Sequence, residues 1–235
     1  MRLLLLSNST QFGLGYLDHA DAAVRDHLDG VSRLLFVPFA LHDRDGYAAK
    51  ARDRFGQWGI RVDSLHETPD PSAALETAEA VFVGGGNSFR LLKTLQDRGL
   101  LGVLRRRIQD GMPYMGASAG SNLACPTIRT TNDMPIVEPA GFDALGVLPF
   151  QLNPHYLDPV SDSEHMGETR EQRLREFLED NDAVVLGLRE GGWLARRDDV
   201  LRLDGAKPAR LFRRGVDPRE IDSPADISDL LRTRT

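Results

Sequence analysis

The chain has 235 residues, 41% of them hydrophobic and 27% charged, which suits one large α/β domain or two small ones with a sizeable core. Its formal net charge is −6 with acids and bases interspersed, so it offers no basic face for nucleic acid. No apolar stretch is long enough for a membrane span or a signal-peptide core, and the single cysteine, Cys125, excludes an internal disulfide and fits a reducing, cytoplasmic compartment.

Residues 3–6 read as a buried strand ending in the polar turn Ser7-Asn8-Ser9-Thr10. Leu17, Ala20, Val24 and Leu28 recur at helical spacing. A second apolar run, 34–37, stops at Pro38, and a charged, mostly helical segment leads to Trp58. Ile60 and Val62 predict a third strand, and 81–83 a fourth that runs into Gly84-Gly85-Gly86-Asn87. Phe89, Leu92 and Leu95 mark one helix and Leu101, Leu104 and Ile108 another, on which Arg105, Arg106 and Arg107 form a solvated face. A short strand over 113–115 precedes "GASAG". Residues 129–164 break the pattern, being rich in Pro, Asn and Asp and long for a connection. Helical spacing resumes with Leu174, Phe177 and Leu178; 184–188 is a buried strand, and the tail reads as short antiparallel strands. The alternation predicts a single α/β domain, 1–235, with a mostly parallel sheet flanked by helices.

The pattern G-x-S-x-G at 116–120 places Ser118 between a strand and a helix, the context of a nucleophile elbow. Small neighbours are needed there because the turn brings strand and helix backbones close together. The same spacing also serves plain close packing. Cys125, seven residues on and without glycine neighbours, reads as a buried structural thiol.

A serine hydroxyl needs a base. Of the six histidines, His19 and His27 fall on an amphipathic helix and read as surface residues, and His42 and His66 lie in polar turns. His155 follows the apolar run 148–152 in a strand-end loop that could face the elbow, while His165 fits either a lid or plain exposure. Two carboxylates qualify as the group that orients the base: Glu190, after a buried strand and before two glycines, and Asp133, in the irregular segment. Bland alternatives are a turn residue for Glu190 and an Asx turn for Asp133.

"LLLLSNST", "VGGGNSFRLLK" from Val83, "GASAGSNLACPTIRTTNDMPIV" from Gly116, "GFDALG", "NPHY" from Asn153, "GETREQR" from Gly167 and "LREGGW" from Leu188 together resemble the peptidase E family of aspartyl dipeptidases. The resemblance runs from the first strand to about Trp193; this chain has Ala117 where some members carry tryptophan. It implies a fold similar to class I glutamine amidotransferases, and a serine exopeptidase for small Asp-X dipeptides with Ser118 as nucleophile and His155 as base. Glu190 is the favoured third member and Asp133 the second choice. The amides of Gly85, Gly86 and Ala119 would form the oxyanion hole, and Arg170 would grip the aspartate side chain with paired hydrogen bonds. Neither metal nor other cofactor is expected: there is no H-E-x-x-H, and "HDRD" at His42 has no second cluster at useful spacing. The glycine loop lacks the Walker lysine-serine pair, which argues against phosphate binding. A homodimer is compatible with a small enzyme of this kind. A β-aspartyl peptide hydrolase, or a non-catalytic amidotransferase-like binding module, are the alternatives.

Overall fold

The computed structural model describes residues 1–159 and 167–233. The predicted alternation of strands and helices is present: β1 (Arg2–Leu6), α1 (Asp21–His27), β2 (Arg33–Val37), α2 (Arg44–Gly56), β3 (Arg61–Ser64), α3 (Pro71–Thr77), β4 (Ala80–Val83), α4 (Ser88–Asp97), α5 (Leu101–Gln109), β5 (Tyr114–Ala117) and α6 (Ala119–Leu123). Then come β6 (Gln151–Pro154), α7 (Arg170–Asp180), β7 (Val184–Leu188), β8 (Gly192–Arg197), β9 (Val200–Gly205), β10 (Ala209–Arg213), β11 (Val216–Ile221) and β12 (Ala225–Asp226).

The strands form two sheets. In the eight-stranded sheet the order is β12-β9-β8-β1-β5-β4-β2-β3, with β3, β2, β4, β5 and β1 mutually parallel and β8 joining β1 antiparallel. The tail was expected to make antiparallel strands; it divides, β8 and β9 extending the main sheet and β10 and β11 joining β7 and β6 in a second, four-stranded sheet. Alternation along β1 explains the layers, because successive side chains of a strand point to opposite faces. Leu4 and Leu6 pack with Phe36, Phe55 and Phe82 beneath α1 and α2. Leu3 and Leu5 pack with Leu91, Leu104, Leu152 and Leu186 on the other face, which α4 and α5 share with the second sheet. Leu174 and Leu178 of α7 cover that sheet's outer side.

Three local readings change. The helix expected from Leu17 to Leu28 is a 3-10 turn (Asp18–Ala20) followed by α1. His27 is buried, not on the surface, and burial pushes its imidazole pKa down to about 3. Arg105 and Arg107 are anchored, hydrogen-bonding the carbonyls of Ala144, Leu145, Leu75 and Ala78, while Arg106 pairs with Glu76. No helix among the described residues is long and apolar enough to cross a membrane.

Candidate active site

Ser118 sits at the carboxyl end of β5, between the parallel strands β1 and β4, at the sheet end where open α/β sheets gather their ligand sites. Its backbone has φ 53° and ψ −111°, a conformation that L-residues rarely adopt and one that argues for a constrained, functional turn. The turn is possible because its flanks carry no side chains. A Cβ on Gly116 would lie 2.5 Å from Gly120 O, and one on Gly120 would collide with Val83 O. Ser118 N–H donates to Leu6 O at 3.0 Å, tying the elbow to β1. The helix that follows, α6, has only five residues.

His155 and Glu190 come from the second sheet. β6 and β7 run parallel with Pro154 opposite Leu188, so the residues just past the two strand ends are neighbours. His155 Nδ1 lies 2.7 Å from Glu190 Oε1, and His155 Nε2 lies 2.9 Å from Ser118 Oγ. The acceptor-only carboxylate assigns the tautomer: Nδ1–H donates to Glu190, leaving Nε2 to accept the Ser118 hydroxyl. The chain of hydrogen bonds can draw the serine proton onto imidazole and stabilise the imidazolium that results. All three residues are partly exposed.

Several positioning groups escaped the sequence reading. Ser7 Oγ accepts His155 N–H at 2.9 Å and donates to Leu188 O at 2.7 Å, so one hydroxyl joins the ends of β1, β6 and β7. Asn8 Oδ1 accepts Gly191 N–H at 2.9 Å, next to Glu190. Arg189 grips Asp158 through two hydrogen bonds, at 2.8 and 2.6 Å, and also pairs with Glu220, clamping the segments that carry His155 and Glu190. The guanidinium beside them holds both carboxyls below the usual carboxylate range. Two polar residues directly after the first strand were the available signal for Ser7 and Asn8; nothing local marks Arg189.

Asp133 makes no hydrogen bond or ion pair with His155. Its Oδ2 accepts Ser88 N–H at 2.7 Å and the Thr131 hydroxyl at 3.0 Å, which places it at the start of α4 and on the wall of the cavity. That cavity, about 310 Å³, also holds Ser118, His155, Glu190 and Arg170. Arg170 opens α7, after a capping box in which Thr169 and Gln172 satisfy each other's backbone. Among the described residues Arg170 makes no ion pair within 4.0 Å; burial and nearby Arg173 lower its pKa, which Asp133 partly restores. Arg173, by contrast, pairs with Glu168 at 3.3 Å.

The glycine loop packs against the elbow: a Cβ on Gly85 would lie 3.1 Å from Ser118 Cβ. Only part of the expected set of amides is available. Gly85 N–H already donates to Tyr47 Oη at 2.8 Å. Gly86 N–H has no backbone or side-chain acceptor among the described residues, and Ala119 N–H is in the first turn of α6, where amides lack intrahelical partners. Cys125 is buried with its thiol pKa pushed up to about 12, and accepts Leu152 N–H at 3.1 Å. His165 lies outside the described residues.

One cluster that linear spacing hid lies apart from the cavity. Asp45, at the end of "HDRD", meets His66 and Glu67, with ligand atoms within 4.8 Å of one another; His66 bridges Ser64 Oγ at 2.7 Å and Asp45 Oδ1 at 2.8 Å.

Residues 3–203 match Peptidase family S51. The chain is 58% identical over 234 residues to the protein named "Peptidase E" of Streptomyces coelicolor, spanning 100% of this chain and 96% of that one. It is 46% identical over 233 residues to the Drosophila melanogaster protein named "Probable alpha-aspartyl dipeptidase", covering 98% and 97% of the two chains. A solved peptidase from an acI-B1 Actinobacterium shares the fold, with a TM-score of 0.73, 15% identity and 96% of each chain covered.

Proposed function

The chain belongs to peptidase family S51, and from that premise we propose that it is a cytoplasmic serine-type exopeptidase that hydrolyses dipeptides with an N-terminal aspartate. The observation that carries the reading is the hydrogen-bonded series Ser118–His155–Glu190 opening onto a cavity whose cation is Arg170. The names of the relatives agree with the substrate class.

In the proposed reaction His155 Nε2 takes the Ser118 proton as Oγ attacks the aspartyl carbonyl carbon. The developing oxyanion points at the Gly86 and Ala119 amides, with Gly85 reserved for Tyr47. The C–N bond then breaks as His155 protonates the departing amine, leaving an ester on Ser118. Water, deprotonated by the same imidazole, hydrolyses that ester and returns the hydroxyl. Glu190 holds the imidazole in the tautomer that both half-reactions require. Arg170 meets the aspartate side chain as a planar, bidentate partner.

Release of free aspartate from Asp-Leu, beside Leu-Leu, Glu-Leu and a β-aspartyl dipeptide with EDTA in a parallel sample, tests the reading. Rapid cleavage of Asp-Leu alone, unaffected by EDTA, is expected. Cleavage of the β-linked substrate alone moves the substrate class, and no cleavage of any substrate refutes the proposal. Arg170→Ala is expected to raise KM for Asp-Leu by at least tenfold while a neutral aminoacyl ester loses little; equal losses remove Arg170 from specificity.

The two acids separate by kcat. Glu190→Gln is expected to lower kcat by about 10²- to 10⁴-fold, because the amide no longer favours the Nδ1–H tautomer or offsets the imidazolium. Asp133→Asn leaves the His155 contacts untouched and is expected to cost less than about tenfold in kcat, within the range of a lost cavity-wall hydrogen bond. The reverse order would make Asp133 the partner of His155.

A further inference from the structure

A second cavity, about 600 Å³, meets the first at Ser118, Asp133 and His155, and Arg170 is not among its lining residues. Its walls include Tyr16, Leu41, Tyr47 and the glycine loop, and Lys50 is the only lysine or arginine among its lining residues. The Lys50 ammonium lies 4.5 Å from the centroid of the Tyr16 ring, which holds the charge over an aromatic face. Among the described residues Lys50 makes no ion pair within 4.0 Å. The carboxylates on this lining are Asp43 and Asp133, and both are engaged: Asp43 Oδ1 caps α2 by accepting Gly46 N–H at 2.9 Å, and Asp133 accepts from Ser88 and Thr131.

Resting on the dipeptidase reading above, we infer that this second cavity is the leaving-group subsite and that Lys50 recognises the free α-carboxylate of the departing residue. The chemistry divides a dipeptide at Ser118. The acyl half carries the aspartate side chain and belongs with Arg170. The amine half carries a side chain of varied type and a C-terminal carboxylate. The second cavity matches that half, with aromatic and aliphatic surface for the side chain and one cation for the carboxylate. A flexible lysine beside a wide groove selects by charge rather than by shape, which admits many second residues while favouring a chain that ends after one of them. An amidated or extended substrate would lack its carboxylate at this depth.

The test compares Asp-Leu with Asp-Leu-amide on the intact enzyme, as the ratio of their kcat/KM values. The wild-type chain is expected to prefer the free acid by about tenfold, the effect of one charge-assisted contact. Lys50→Met is expected to bring the ratio near one, and Lys50→Arg to keep most of it. Because the readout is a ratio within each variant, a partly unfolded preparation does not change it. Equal rates on both substrates in the wild type, or an unchanged ratio in Lys50→Met, overturn the assignment while leaving the peptidase intact. Failure of the wild type to cleave either substrate refutes the dipeptidase reading and this inference with it.

Discussion

Replacing Ser118 by alanine is expected to lower turnover of Asp-Leu by about 10⁴- to 10⁶-fold, the loss that follows removal of a triad nucleophile. The size follows from what the hydroxyl does in the proposed reaction. Without Oγ there is no ester intermediate, and His155 can only activate water against an amide. Folding should survive, because the Ser118 side chain is partly exposed, its hydrogen-bond partner is His155, and alanine meets the strained backbone with a side chain no larger. The melting temperature therefore stays within a few degrees, separating lost chemistry from lost structure. A serine-directed phosphonate should label the wild-type chain once, at Ser118, and leave the variant unlabelled. Cys125 offers no substitute nucleophile, since its thiol is buried and its pKa is raised to about 12. A variant that keeps more than about 1% of wild-type activity would sink the mechanism, because positioning and oxyanion stabilisation alone leave far less.

Gly120→Ala is expected to produce the largest loss of stability. The new methyl would collide with the Val83 carbonyl oxygen and lie 2.9 Å from its carbon. Val83 is the last residue of a central parallel strand, held by β2 and β5, and cannot retreat. Gly120 cannot retreat either, because Tyr114 Oη donates to its carbonyl at 2.6 Å from within the core. Overpacking against two fixed backbones should cost at least about 3 kcal/mol, lowering the melting temperature by some 6–12 °C for a chain of this size. Gly102→Ala is the control. Its Cβ meets nothing within 4 Å, and it lies inside α5, so alanine there should be neutral or stabilising by up to about 1 kcal/mol. Equal melting temperatures for Gly120→Ala and wild type would show that the elbow is looser than its contacts indicate.

These two variants also mark how far sequence reading reaches. The elbow was legible in five letters because its constraint is local: a strand must turn into a helix within one residue, and only small side chains clear the neighbouring backbones. The alternation of apolar strands with amphipathic helices was legible for a similar reason, since periods of 2 and 3.6 residues are written along the chain. His155 and Glu190 were legible as strand-end residues, but not their contact. Asp133, a second candidate carboxylate in the irregular segment, is held by Ser88 and Thr131 instead.

What the sequence by itself determined is the α/β class, the constrained serine and a short set of polar groups at strand ends. What only the tertiary structure decided is which of them meet. Glu190 reaches His155 because β6 and β7 pair in parallel with Pro154 opposite Leu188, and Ser7, 148 residues from His155, pins the loop in place. Tyr47 occupies the Gly85 amide from 38 residues away. Helix and strand preferences act over a few neighbouring residues. Hydrogen-bond partners across sheets follow from strand register and from core packing, which involve the whole chain at once.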